Sequence, residues 1–182
     1  MQQRIFLQRH GRHPDPWEPS VTSTALTPEQ IVARNMATVD AHFHNENPRD
    51  IDKAIELYGD SIVWEVPARG VLLRDKAAVK AAYLKMFESY QIHSMTTVRR
   101  FGADNWVVDD TVGDMTLTGD VETNVPGCPL PSGTRVNMRI VHIFELDDNG
   151  RITRENGYEL WRRADGPIDD DIPADAPTIT FD

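Results

Sequence analysis

One face of the run Val136, Met138, Ile140, His142 and Phe144 is apolar except for a single imidazole. An imidazole among apolar neighbours needs a hydrogen-bond partner or a ligand. Its unperturbed pKa of about 6.5 suits proton transfer near neutral pH. His142 therefore reads as an acid/base group or as a core histidine bonded to a backbone carbonyl. Asp109 shares its face with Val107, Gly113, Met115 and Leu117. A carboxyl there would resist ionisation and could act as a general acid; the other reading is a surface aspartate at a strand bend. Tyr158 and Asn156 alternate in phase with Ile152 and Leu160, which turns both inward and lets Tyr158 donate to a developing oxyanion. Glu65 lies between Trp64 and Val66, just before Pro67. Alternation points it outward, whereas a bulge ahead of the proline would turn it in. The expected catalytic set is His142, Tyr158, Asp109 and Glu65. Trp64, Asn156, Met138, Val39 and Tyr83 are the expected substrate-binding set.

Several chemistries find no support. His42 and His44 are two apart on a helix and so face different sides. There is no HExxH motif, and Cys128 is the only cysteine. No metal site is expected. The chain also lacks a glycine-rich phosphate loop and a dinucleotide fingerprint, so no cofactor is expected. The formal charge is −10, and residues 164–182 hold six aspartates and no lysine or arginine. An acidic surface repels phosphate backbones, which argues against nucleic acid. No apolar run is long enough for a membrane span or a signal peptide, so the expected location is the cytoplasm.

The elements that must carry these side chains follow from periodicity. Thr27-Pro-Glu-Gln30 forms a helix start with a capping box, and Ile31, Val32, Met36, Val39 and Phe43 give the helix one apolar face. A second helix is expected over 48–58, a short strand over 61–66 and a third helix over 75–90. The period then changes to two over 96–101, 106–118, 135–146 and 151–161, with Asp147-Asp-Asn-Gly150 as a hairpin turn. Helices first and a meander afterwards predict one α+β domain. An irregular, locally basic arm (residues 1–26) precedes it, residues 27–163 form it, and an acidic extended tail (164–182) follows.

This order of elements resembles the nuclear-transport-factor-2-like superfamily, and its SnoaL-like and ketosteroid-isomerase-like families in particular. The segments that carry the resemblance are Leu57-Tyr-Gly-Asp-Ser-Ile-Val-Trp-Glu-Val-Pro67, Arg139-Ile-Val-His-Ile-Phe-Glu-Leu146 and Asp148-Asn-Gly-Arg-Ile-Thr-Arg-Glu155. The resemblance implies a cone: a curved antiparallel sheet wrapped around three N-terminal helices and enclosing an apolar pocket. It also implies an acid/base on the penultimate strand, where relatives carry an aspartate and this chain has His142. The second carboxylate of the isomerases falls where this chain has Val66, which counts against ketosteroid isomerisation. The expected function is a cofactor-independent isomerase, cyclase or lyase/dehydratase acting on a hydrophobic, ring-containing carbonyl or hydroxylated molecule. A non-catalytic binding or assembly domain of the same fold is the alternative. A homodimer is also expected through the outer face of the sheet, from Trp106, Val108, Val112, Val141, Ile143 and Trp161. Arg135, Arg139, Glu155 and Glu159 would pair between chains there.

Overall fold

The computed structural model describes residues 25–118, 130–166 and 172–181. The expectations for most of the N-terminal arm and for Cys128 lie outside the described residues. Helix α1 spans Pro28–Asn45, and its capping box forms as the sequence predicts: Gln30 N donates to the Thr27 hydroxyl and Thr27 N to Gln30 Oε1. Its buried face carries Asn35, Val39, His42 and Phe43, so His42 turns into the core. Helix α2 is short, Ile51–Glu56. Helix α3, Lys76–Ser89, is capped by the Asp75 carboxylate.

Strand β1 (Tyr58–Val66) is joined to β2 (Val71–Leu73) by a 3-10 turn at Pro67–Arg69. Gly70 follows that turn at φ 63°, a left-handed conformation that favours glycine. The long strands are β3 (Tyr90–Ala103), β4 (Trp106–Leu117), β5 (Arg135–Leu146) and β6 (Ile152–Arg163). A short β7 (Thr178–Thr180) pairs with the outer edge of β3, so part of the expected extended tail belongs to the sheet. The strand order is β2-β1-β6-β5-β4-β3-β7. Every pairing is antiparallel except β1 with β6. The sheet is thus mixed where a wholly antiparallel one was expected, because β6 reaches β1 only after the whole meander.

The β5–β6 ladder contains an irregularity that decides the site. Leu146 pairs with Ile152, but Glu145 pairs with Arg154, leaving Thr153 as an extra residue. A bulge inverts the phase of every side chain beyond it. Ile152 is buried before the bulge, and Glu155 and Gly157 are buried after it, while Tyr158 and Leu160 are exposed. At β1 no such shift occurs near the proline. Trp64, Glu65 and Val66 pair in unbroken register with Leu73, Leu72 and Val71, so Glu65 stays on the outer side.

The core has two parts. One joins α1, α2 and α3 to β1 and the β4–β5–β6 turn ends, around Val39, Phe43, Ile62, Trp64 and Phe144. The other gathers Tyr90, Met115, Leu117, Val136, Met138 and Ile140 on the far half of the sheet.

Candidate active site

A cavity of about 40 Å³ lies where these two clusters meet. Met86, Met95, Met115 and Met138 form much of its apolar wall, with Trp64 and Ile140. Its polar wall is Glu46, Tyr83, His142, Glu155 and Glu159. That volume holds a few waters, so a ring-sized ligand requires the wall to yield. Methionine, with three rotatable bonds, is the residue type best able to do so. A wider chamber of about 530 Å³, lined by His44, Asn47, Arg49, Phe87 and Gln91 among others, lies beside it. Glu46, Tyr90, Ile92, Ile179 and Phe181 belong to both walls.

β5 places His142 facing Asp109 of β4, its directly paired residue. The imidazole Nδ1 is 3.9 Å from Asp109 Oδ2, an ion-pair distance that is too long for a hydrogen bond. Nδ1 is buried and makes no hydrogen bond. Asp109 is fully buried and held from two sides, by Arg100 Nε at 2.7 Å and by the Thr111 hydroxyl at 2.5 Å. The imidazole ring is fixed between Phe144, with centroids 5.7 Å apart, and Phe43, at 5.0 Å. Burial by itself would lower the His142 pKa, but Asp109, Glu155 and Glu46 outweigh it and the net shift is upward. The Asp109 carboxyl is held below its ordinary range, the reverse of the resistance to ionisation expected for it, so it is a carboxylate and not a general acid. Burial opposes this, and His142, Arg100 and Thr111 overcome it.

The other nitrogen, Nε2, lies 4.0 Å from Glu155 Oε1. Glu155 is buried, and both its oxygens accept tyrosine hydroxyls: Tyr58 at 2.5 Å and Tyr83 at 3.0 Å. Burial first, and the Glu155 charge second, push both phenols well above their ordinary pKa, so both stay protonated and donate to Glu155. The Trp64 indole donates to the Tyr83 hydroxyl at 3.4 Å. His42 Nε2 is 3.5 Å from Glu155 Oε2 and 3.6 Å from Glu46 Oε2. Burial holds the His42 pKa below its ordinary value. Glu46, one turn beyond His42 at the end of α1, is pushed by burial from 4.5 to about 8, with the Glu155 charge adding to the effect. At the other end of the cavity Glu159 is bonded by Arg69 at 2.7 and 2.9 Å and by the Trp161 indole at 3.1 Å.

The site therefore contains part of the expected set. His142 and Asp109 come together, and Trp64, Tyr83 and Met138 line the cavity. Tyr158 does not: it is 49% exposed on the outer face, because the Thr153 bulge reverses the alternation that would have turned it in. Asn156 shares that side and donates to Glu65 at 3.0 Å, and Glu65 is near Arg154 as well, outside the cavity. Val39 is fully buried in the core rather than in the cavity wall. Glu155, Tyr58, His42 and Glu46 are the residues that sequence reasoning missed. Glu155 was hidden by the bulge. Tyr58 lies at a helix-to-strand junction, and the α1 residues sit at the edge of the apolar stripe. Among the described residues no group of three or more His, Cys, Asp or Glu side chains is arranged to hold a metal ion. No helix among them is long and apolar enough to cross a membrane.

Comparison with solved structures agrees with this architecture. The chain is similar to an LEH-like epoxide hydrolase from M. tuberculosis, with 18% identity over 71% of this chain and 84% of that one and a TM-score of 0.54. It is also similar to a candidate polyketide cyclase from Xanthomonas campestris, with 21% identity over 69% and 90% of the two chains and a TM-score of 0.57. An NTF2-like protein from Burkholderia xenovorans gives 14% identity over 71% and 91%, with a TM-score of 0.58. At such identities the likeness defines the fold: the α+β cone. Residues 39–155, more than half of the sequence, match the SnoaL-like domain. The chain belongs to the SnoaL-like domain family. No curated protein matches the sequence.

Proposed function

We propose that this chain is a cofactor-independent acid/base enzyme. It isomerises, cyclises or dehydrates a hydrophobic, ring-containing carbonyl or hydroxylated molecule, with His142 moving the proton. The observation that carries this reading is the placement of His142 in the wall of an apolar cavity, flanked by Asp109 and Glu155. A binding pocket for an apolar ligand gains nothing from a buried imidazole with a carboxylate beyond each nitrogen. A proton-transfer site does, because the two carboxylates stabilise the imidazolium that forms when His142 takes a proton from carbon. Asp109 is the positioning residue, and Arg100 keeps it in place. Trp64 and the methionines supply the surface for a ring.

The test is deuterium exchange. A panel of aromatic and polyketide-like cyclic ketones and hydroxyketones is incubated with the protein in D2O and read by NMR. Deuterium should enter the carbon next to the carbonyl, and His142→Ala should slow this by roughly 10²- to 10⁴-fold. Exchange or turnover at the same rate in His142→Ala would remove His142 from the chemistry.

We further propose a homodimer formed through the outer face of the sheet. Phe101, Trp106, Tyr158 and Leu160 are exposed there. The phase inversion in β6 takes Trp161, Glu155 and Glu159 off the face on which the sequence had put them. Arg135 and Arg139 are paired within the chain, with Asp114 and Asp110. The contact would therefore be apolar, not a set of reciprocal ion pairs.

A further inference from the structure

We propose that Glu46 is the proton donor to the substrate oxygen, and that His142, Glu155, His42 and Glu46 form a circuit that resets the site after each dehydration. This rests on the acid/base reading above and supplies the partner that His142 lacks. Isomerisation or dehydration needs one group to take a proton from carbon and a second to give one to oxygen.

The geometry singles out Glu46. It faces both the inner cavity and the outer chamber. Its Oε2 is buried and has no hydrogen-bond partner. A buried carboxyl oxygen left unbonded at the wall of a cavity is a costly arrangement unless something binds there. Ionisable groups from every packed element act on it: His42 of α1, Tyr83 of α3, Tyr90 of β3, Asp109 of β4, His142 of β5 and Glu155 and Glu159 of β6. His142 opposes the effect of burial and of the surrounding acids without outweighing it, so Glu46 keeps its proton until about pH 8. A neutral carboxyl can donate where a carboxylate cannot.

The proton balance closes within the protein. His142 Nε2 takes the proton from carbon, and the electron pair of that C–H bond forms the new double bond. The Oε2–H of Glu46 passes to the substrate oxygen. In dehydration the C–O bond breaks with its electron pair on that oxygen, which leaves as water; in isomerisation the enol so formed takes a proton at a second carbon from His142 and returns its O–H proton to Glu46, which resets both groups directly. After dehydration His142 is one proton richer and Glu46 one poorer. Between them lie three gaps: 4.0 Å from His142 Nε2 to Glu155 Oε1, 3.5 Å from Glu155 Oε2 to His42 Nε2, and 3.6 Å from His42 Nε2 to Glu46 Oε2. A small side-chain movement or one bridging water closes each of them, and a turn of the protonated Glu155 carboxyl about its Cγ–Cδ bond carries the proton from the His142 side to the His42 side. The substrate class narrows accordingly. With Glu46, Glu155 and Glu159 in one wall, the reacting oxygen belongs to an uncharged carbonyl or hydroxyl, since a carboxylate or phosphate there would be repelled.

Two measurements test this, one without any substrate. In protein labelled with 13C at the glutamate carboxyls, the Glu46 signal is identified by its loss in Glu46→Gln. It should titrate with a midpoint near 8. A midpoint in the ordinary glutamate range overturns the proposal whatever turnover shows. With any compound that the wild type converts, Glu46→Gln should lower product formation by roughly 10²- to 10⁴-fold. It should slow deuterium entry at carbon less than His142→Ala does. Wild-type product formation by Glu46→Gln overturns the proposal while leaving His142 in place. An undiminished His142→Ala overturns the acid/base reading itself.

Discussion

Asp109 shows how much one buried carboxylate can set. It is fully buried, and its oxygens are held by Arg100 and Thr111. That leaves its charge, rather than a direct hydrogen bond, to act on His142 across 3.9 Å. Asp109→Asn keeps the shape and removes the charge. With burial less opposed, the His142 pKa should fall, read as a lower midpoint in 15N NMR titration of the ring. An unmoved midpoint would mean that the other acids, Glu155 and Glu46, set it. The sign of the stability effect follows from linkage. A histidine whose pKa is raised in the fold contributes stability that is fully present below its unfolded value of about 6.5 and lost as pH rises through the folded value. The substitution should therefore cost more stability at pH 5.5 than at pH 9, on the order of 3 kcal/mol at the lower pH, because it also breaks a buried pair with Arg100. Urea denaturation at the two pH values measures this.

At the scale of an element, Thr153 carries more consequence than its chemistry suggests. Its side chain makes one bond, to the Glu145 carbonyl at 3.1 Å, and is only partly buried. Its presence as an extra residue is what turns Glu155, Gly157 and Glu159 toward the cavity and Tyr158 and Leu160 away from it. Thr153→Ala should change stability by no more than about 1 kcal/mol. Deleting Thr153 should prevent folding, since it would expose Ile152 or bury Tyr158 and Leu160 while expelling Glu155 from its two tyrosines. Circular dichroism and solubility of the deletion variant decide this, and a folded deletion variant with native thermal stability would show that the bulge is not what sets the phase. Gly113 on β4 has a related role: a Cβ there would come 2.5 Å from Met115 Cε and 2.9 Å from Met95 Sδ, so its absence makes room for two of the cavity methionines.

Across the described residues, the sheet has one face covered by helices and one that no described helix covers. A sheet face left to water normally reads polar. Here Phe101 is 56% exposed and Leu160 60%. Val108 and Ile143 lie in register beside Phe101, and Val141 beside Tyr158. At the centre Asp110 is clamped by Arg139 at 2.5 Å and Arg99 at 3.0 Å, so its carboxylate is already paired within the chain. Such a patch suits a second copy of itself across a twofold axis. Sedimentation equilibrium at micromolar concentration should give twice the chain mass of 20.6 kDa. Leu160→Glu should return it to one, and a wild type that sediments at the single-chain mass removes the dimer.

The sequence by itself determined the layout: helices from capping and 3.6-residue periodicity, long strands from alternation, the 147–150 turn from its residues, and from these one α+β domain, with the cone following from the resemblance that this order carries. It also determined that His142 and Asp109 point to the same side, because no irregularity interrupts β4 or β5 where they pair. These are local properties, readable along a few residues. Tertiary structure alone decided the rest. Alternation can be counted from either end of β6, and only the ladder with β5 shows that a residue is skipped, so Glu155 and Tyr158 exchange sides. Tyr58, Tyr83, His42 and Glu155 come from four elements and meet through contacts spanning up to 97 residues. No periodicity records such a meeting. The proton on Glu46 belongs to neither its type nor its neighbours in sequence, but to the burial and the acids that folding gathers around it.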